Sequence, residues 1–207
     1  MIKKISLIKI AIDSPAAAGA GTLGKTISKH YKLFYLDTGK IYRFIAYLKI
    51  KYPKKFNLNY VRKKIKILKN SDLNKKTLLS DKVGTEASII AKNKKLRKMV
   101  HSFQIKCAYN PPKKFKGSCL DGRDITYKIM PDADFKFYIT ANIKTRALRR
   151  YKELKGLGKN VTYKDVLKTI RNRDKNDFNR KISPLRKTKD SLLINTTNLT
   201  KRACFLK

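Results

Sequence analysis

Ser14-Pro15-Ala16-Ala17-Ala18-Gly19-Ala20-Gly21-Thr22 follows an apolar run ending at Asp13 and precedes a helical pattern that starts near Thr22. This order outlines a phosphate-binding loop, in which backbone N–H groups cradle an anion at a helix N-terminus and a hydroxyl side chain meets Mg2+. In the G-x-x-x-x-G-K-[ST] form a lysine also reaches the outer phosphate oxygens. Here Ser14 stands at the first glycine and Ala20 at the lysine. Taken alone, the stretch reads more readily as a tight turn between a strand and a helix. Gly19 and Gly21 fall where backbone turns sharply or approaches a ligand, and Thr22 falls in a first helical turn, where free N–H groups and the dipole favour an anion. Arginines and aspartates gather in later clusters: Asp37-Thr38-Gly39 with Arg43 one turn beyond, Asp121-Gly122-Arg123-Asp124, and the stretch from Arg171 to Arg180. Guanidinium forks hold phosphate bidentately, and a carboxylate accepts from an amino group or a pair of hydroxyls.

These residues need a frame. Short apolar runs at Ile5 to Ile12, Leu33 to Leu36, Ser118 to Leu120, Phe135 to Ile139 and Leu192 to Ile194 alternate with helical patterns. The alternation predicts an α/β fold: a five-stranded parallel sheet flanked by helices, its strands buried on both faces. Ligands of such sheets bind at the carboxyl ends of the strands, where Ser14 to Thr22, Asp37 to Gly39, Asp121 to Asp124 and Thr140 to Asn142 would lie. Leu96, Val100, Phe103 and Cys107 mark one face of a helix running to Tyr109 and stopped by Pro111-Pro112. Residues 50–81 read as helices broken by short loops outside the sheet. Helices at Ile143 to Lys155 and from Thr162 to about Asn176 flank Gly156-Leu157-Gly158-Lys159-Asn160, a glycine-flexed joint of the kind a closing lid uses.

The 207 residues, 42% apolar, suffice for one well-filled core. No apolar run approaches the roughly 18 residues that span a bilayer, and Met1-Ile2-Lys3-Lys4 leads into a strand-like run without a cleavage signature, so a cytoplasmic protein without membrane partners is expected. Cys107, Cys119 and Cys204 are too scattered for a metal or redox motif, and His30 and His101 are isolated. Asn195-Thr196-Thr197 and the other glycosylation sequons read as chance matches. The formal charge of +38, from 52 Lys+Arg against 14 Asp+Glu, attracts any polyanion. Lysines are spread through every element and no RNP, zinc-finger or basic-zipper pattern occurs, so a solvated basic surface without a dedicated nucleic-acid site is expected.

The motifs together resemble bacterial cytidylate kinases: Ile12 to Leu23, Leu36-Asp37-Thr38-Gly39-Lys40-Ile41-Tyr42-Arg43, Leu120 to Ile125, Met130-Pro131-Asp132-Ala133-Asp134, Ile170 to Arg180, and Ser183-Pro184-Leu185, in that order. The resemblance covers nearly the whole chain. It implies a P-loop kinase fold and transfer of a phosphoryl group from ATP to CMP or dCMP with Mg2+, by a protein expected to be monomeric. Such a kinase works by positioning and charge neutralisation, so arginines are the residues to follow. The resemblance places Ser14 to Thr22 at the ATP phosphates, with Arg149 and Arg150, and Arg146 beside them, as lid candidates. It places Arg43, Arg123 and Arg180 on the acceptor phosphate, with Thr38 on the acceptor side and Arg123, Asp121 and Arg180 closest to the transfer. Ser88, Arg97 and Asp124 match the family's cytosine readers, Arg173 and Asp177 its ribose contacts. Thr22 and Asp121 match the Mg2+ neighbours, in part through water. Within one domain spanning 1–207, the expected parts are a core (1–39, 96–149 and 163–207), an acceptor-binding region (40–95) and a lid (150–162).

Three departures bear on activity. Ala20 removes the ammonium over the β/γ-phosphates, and the loss of such a contact costs about 10²–10³ in rate. Lys25, one helical turn beyond Thr22, is not thereby its replacement. Thr126-Tyr127 stand where the family shows Gly-Thr, and both the stretch from Ile67 to Thr85 and the segment from Asn198 to Lys207 are short for it. A catalytically weakened CMP-binding homologue and a basic RNA-associated protein on a kinase scaffold stand as alternatives.

Overall fold

Ile10, Ala11 and Ile12 are almost completely buried because their strand runs through the centre of the sheet. The computed structural model describes residues 7–207; Met1 to Ser6, including the expected start of the first strand at Ile5, lie outside them. In chain order the regular elements are β1 (Ile8–Asp13), α1 (Ala20–Tyr31), β2 (Phe34–Asp37), α2 (Gly39–Lys51), α3 (Leu58–Lys66), α4 (Asp81–Ile90), α5 (Lys94–Tyr109), β3 (Gly117–Gly122), β4 (Phe135–Thr140), α6 (Ile143–Gly156), α7 (Tyr163–Asn179), β5 (Leu192–Asn195) and α8 (Lys201–Leu206). The five strands lie in the order β2-β3-β1-β4-β5, every pair parallel. This is the α/β frame of a P-loop kinase.

Strand alternation divides the core. Ala11 and Leu120 face a layer built on Ile41 and Ile45 of α2 and Val100 of α5, whereas Ile10, Ile12 and Cys119 face Leu23 and Ile27 of α1. A third, smaller cluster holds α6 to α7 through Ala147, Leu154, Val166 and Ile170. The α6–α7 pair therefore carries its own apolar contact, joined by the Gly156–Asn160 turn, and Gly158 adopts φ 70 there.

Between α2 and α4 the chain is mostly short turns, with 3-10 segments at Pro53–Lys55, Asn70–Asn74 and Lys76–Leu79 around α3. This matches the broken helices expected for residues 50–81. The last residues form the short helix α8, packed on the α1 face through Cys204.

Helix starts separate into two kinds. Asn57, Ser80, Asn93, Asn142, Thr162 and Thr200 each cap a helix through a side-chain oxygen, an arrangement worth about 1 kcal/mol apiece. The α1 and α2 starts, Gly19 and Thr38, have no side-chain cap. Both lie at the carboxyl edge of the sheet, where free N–H groups serve a ligand.

Candidate active site

The loop after β1 is shaped by backbone. Ala17 (φ 59) and Gly19 (φ 100) take left-handed conformations that alternate the N–H directions into an anion nest. Only glycine takes the second without strain. The loop is held from three sides. Ser14 N–H donates to Gly122 O at 3.2 Å. Arg146 Nη1 donates to Ala16 O at 3.1 Å, Nε donates to Ala141 O, and Nη2 pairs with Asp174 at 2.7 Å. Thr196 Oγ1 donates to Ala18 O at 2.8 Å. Arg149 in turn grips Thr196, through Oγ1 at 2.9 Å and the carbonyl at 2.6 Å. Its Nη1 lies 3.9 Å from where a Cβ on Gly19 would stand. Arg149 therefore overhangs the loop, whereas Arg150 does not. Arg150 reaches Leu79 O (2.6 Å), Asp81 (2.9 Å) and Glu153 (2.9 Å), turned toward the start of α4. Ala20 is buried and Thr22 is exposed in the first turn of α1.

Asp13 explains the departure at Thr126-Tyr127. Its buried carboxylate accepts from Ile125 N–H (2.9 Å), Thr126 N–H (2.9 Å) and Thr126 Oγ1 (2.6 Å). These bonds wind Ile125–Ile129 into a π-helical turn that the sequence did not announce. Burial pushes Asp13 up to about 6 despite the three donors. Tyr127 OH donates to Pro184 O at 2.6 Å, and Arg186 covers the Tyr127 ring at 4.1 Å, so the two unusual residues tie the Asp-Gly-Arg-Asp loop to β1 and to the chain beyond α7.

Asp121 stands at the end of β3, its Oδ2 accepting from Tyr35 OH at 2.6 Å and lying 3.5 Å from where a Cβ on Gly21 would stand. Burial, and then the charge of Asp37, push Asp121 up to about 8. A buried carboxylate pressed by another carboxylate beside a phosphate-type loop calls for a cation. Among the described residues no group of three or more His, Cys, Asp or Glu side chains forms a metal cage. Asp121 thus fits a hard cation such as Mg2+ only if phosphate oxygens and waters complete its shell.

Across the sheet edge lies a narrow cleft of about 70 Å3. All nine acceptor-side residues expected from sequence line it: Thr38, Arg43, Ser88, Arg97, Arg123, Asp124, Arg173, Asp177 and Arg180. Thr38 Oγ1 is fixed on Asp121 O at 2.7 Å, and Ser88 Oγ on Gly84 O at 3.3 Å. Arg97 pairs with Asp124 at 3.2 Å, both almost fully buried, and donates to Tyr42 OH at 3.1 Å. Asp177 holds Arg123 at 2.7 Å and Arg180 at 3.5 Å; against the opposing effect of burial, these arginines keep its carboxyl below the usual range. Arg43 lies folded against Gly84, where a Cβ would come within 2.8 Å of its Nη2, and donates to Leu78 O and Ser80 O at 2.7 and 3.2 Å. Burial and the nearby Arg173 and Arg150 push Arg43 down to about 9. Five guanidinium groups, those of Arg43, Arg97, Arg123, Arg173 and Arg180, thus line the cleft with two carboxylates, Asp124 and Asp177, among them. Among the described residues, the buried Arg97 Nε, Arg173 Nε and Arg180 Nη2 have no partner. Leaving such donors unpaired costs about 1–3 kcal/mol each, and guanidinium groups gathered at one cleft suit an anion.

Four supports escaped the sequence reading. Tyr35, Tyr42 and Asp13 sit within or beside motifs already singled out, but their partners are distant in the chain. Thr196 lies in a sequon read as chance, and only the fold brings it to Ala18 and Arg149.

Residues 10–205 match the cytidylate kinase family. The chain is 41% identical over 201 residues to a cytidylate kinase of Bartonella tribocorum, covering 95% of this chain and 90% of that protein. It is 36% identical to the cytidylate kinase of Mesorhizobium japonicum with the same coverages, and 37% identical to that of Clostridium tetani over 92% of this chain and 87% of the relative. With the loop after β1, the Asp-Gly-Arg-Asp turn and the arginine-lined cleft in the order that the fold brings together, this chain belongs to the cytidylate kinase family.

Proposed function

We propose that the protein transfers the γ-phosphoryl group of ATP to CMP or dCMP, giving ADP and CDP or dCDP. The observation that carries this reading is the acceptor cleft: nine residues from seven elements and loops line it, five of them arginines. An oxygen of the acceptor phosphate attacks the γ-phosphorus as the bond to the ADP oxygen breaks. The transferred group carries its charge past the arginines, so catalysis rests on alignment and electrostatic stabilisation.

In this reading the nest of Ala17 and Gly19 and the uncapped start of α1 hold the donor phosphates, under Arg149. Arg43, Arg123 and Arg180 take the acceptor phosphate, and Arg173 with Asp177 the ribose. Asp124 accepts from the cytosine amino group, while Arg97 and Ser88 serve the ring nitrogen and carbonyl; uracil offers a carbonyl where cytosine offers the amino group. Thr22 and Asp121 would hold Mg2+, which when bound would neutralise phosphate charge. Residues 40–95 act as the acceptor-binding region and 150–162 as the lid. A cleft of about 70 Å3 is smaller than typical ligand sites of about 300 Å3 and above, so CMP enters as Arg43 leaves the Leu78 and Ser80 carbonyls and this region opens. We place this activity in the cytoplasm, in a monomer.

The test is ADP formation with CMP, dCMP, UMP and AMP as acceptors, alongside calorimetric titration with CMP. Turnover restricted to CMP and dCMP supports the reading; CMP binding without turnover marks a binding protein instead.

A further inference from the structure

Apart from the acceptor cleft, a groove of about 820 Å3 lies along the free edge of β2. Five lysines line it: Lys25, Lys29 and Lys32 from α1 and its end, Lys40 from α2, and Lys114 from the loop before β3. Asp37 is the sole acid in the lining. Lys40 donates to Asn74 Oδ1 at 3.0 Å, and none of the five enters a salt bridge among the described residues. The floor is aromatic. Phe34 and Phe115 are half-buried and meet edge to face at 5.6 Å, whereas Tyr35, the next residue of β2, packs against the α1 side with its hydroxyl on Asp121.

We infer that this groove binds single-stranded nucleic acid, with phosphates on the lysines and bases against the aromatic floor. A groove that tracks a backbone with positive charge and offers ring faces to bases is the sequence-tolerant solution for single strands. An acidic peptide would use the lysines but leave the rings idle. The ligand differs from the mononucleotides of the phosphoryl-transfer site, so the inference stands or falls apart from the kinase activity. It also runs against the sequence expectation of a merely solvated basic surface, because concavity and aromatic lining coincide with the charge here.

The groove has a structural alternative: lysines flanking an edge strand also block unwanted strand pairing. Binding of a labelled uridine decamer lacking terminal phosphates, measured by anisotropy with saturating CMP present, separates the two. Lys29→Glu/Lys32→Glu/Lys114→Glu is compared with Lys152→Glu/Lys164→Glu/Lys168→Glu, which makes the same charge change in exposed residues of the β4–β5 crossover. The groove variant is expected to bind at least about 10-fold more weakly than the control and to lose about 2 from the magnitude of the log K against log salt slope, at roughly 0.7 per phosphate contact on a single strand. Phe115→Leu, which keeps bulk but removes the ring, is expected to weaken binding about 5-fold with the slope unchanged. An unchanged melting transition in the groove variant shows that it is folded. Equal losses in the two triple variants, or no binding by the unaltered protein, overturn the inference. Displacement of the RNA by an oligoglutamate peptide of equal length at equal or lower concentration overturns it in favour of an acidic protein partner.

Discussion

Replacing Asp124 by asparagine removes one charge and almost no volume, which makes it the sharpest probe of base recognition. Asp124 and Arg97 form an ion pair whose side chains are 6% and 8% exposed, and Arg97 Nε is already without a partner. The substituted amide would keep an oxygen for Arg97 but present an NH2 group as readily as a carbonyl to the base. The cytosine amino group then loses a charge-assisted acceptor, worth about 1.5–3 kcal/mol, while uracil O4 gains a donor. At 1.36 kcal/mol per decade the ratio of kcat/KM for CMP over UMP should fall about 10- to 150-fold. Weakening the buried pair should also lower stability, by less than the 3–5 kcal/mol of deleting one partner outright. The assay is steady-state kinetics with both acceptors on protein shown to be folded by its melting transition. A folded Asp124→Asn enzyme with its CMP-to-UMP ratio intact would refute the assignment of Asp124 to the base.

Ala20→Lys restores an ammonium at the start of α1 and is expected to raise kcat, by up to about 10²-fold; a rate that stays level or falls shows that another cation already does this work. Arg123→Ala should reduce kcat/KM for CMP by at least about 10³-fold, measured with ATP saturating, because it removes a guanidinium from the acceptor wall and frees Asp177. Arg146→Met breaks a buried pair with Asp174 and the bond to Ala16 O, so chemical denaturation should show a loss of about 3–5 kcal/mol. Asp13, raised from 3.8 to about 6 in the fold, is protonated more readily there than in the unfolded chain. Its contribution to stability therefore declines as pH rises from about 4 to about 6, by up to about 3 kcal/mol. Denaturation curves across that range should be flatter for Asp13→Asn than for the parent, and equal slopes would contradict the cause given.

Much of the frame was legible because burial leaves a plain record in a parallel sheet. The runs ending at Leu36, Leu120 and Ile139 are mostly apolar and end within strands, and the polar residues beyond Leu36 and Leu120 are those of the site. The residues that line the cleft were legible through the family resemblance, since Arg43, Arg123 and Asp177 sit within motifs that it aligns. What escaped are contacts that depend on side chains meeting across the fold. Nothing local says that Asp13 winds residues 125–129 into a π-helical turn 112 positions away, or that Thr196 links Ala18 to Arg149. The directions of neighbouring arginines were equally hidden: Arg149 and Arg150 adjoin in sequence, yet one overhangs the donor loop and the other is bound to α4. Charge offered the least guidance, because lysine is abundant everywhere and only the groove along β2 gives some of it a shape.

The central claim is phosphoryl transfer to a cytidine monophosphate, and ADP formation with ATP, Mg2+ and each of four acceptors tests it most directly. The arrangement of Arg97, Asp124 and the acceptor arginines predicts turnover with CMP and dCMP at kcat/KM at least about 10-fold above UMP and AMP. Calorimetric binding of CMP with no CMP-dependent ADP formation would contradict it.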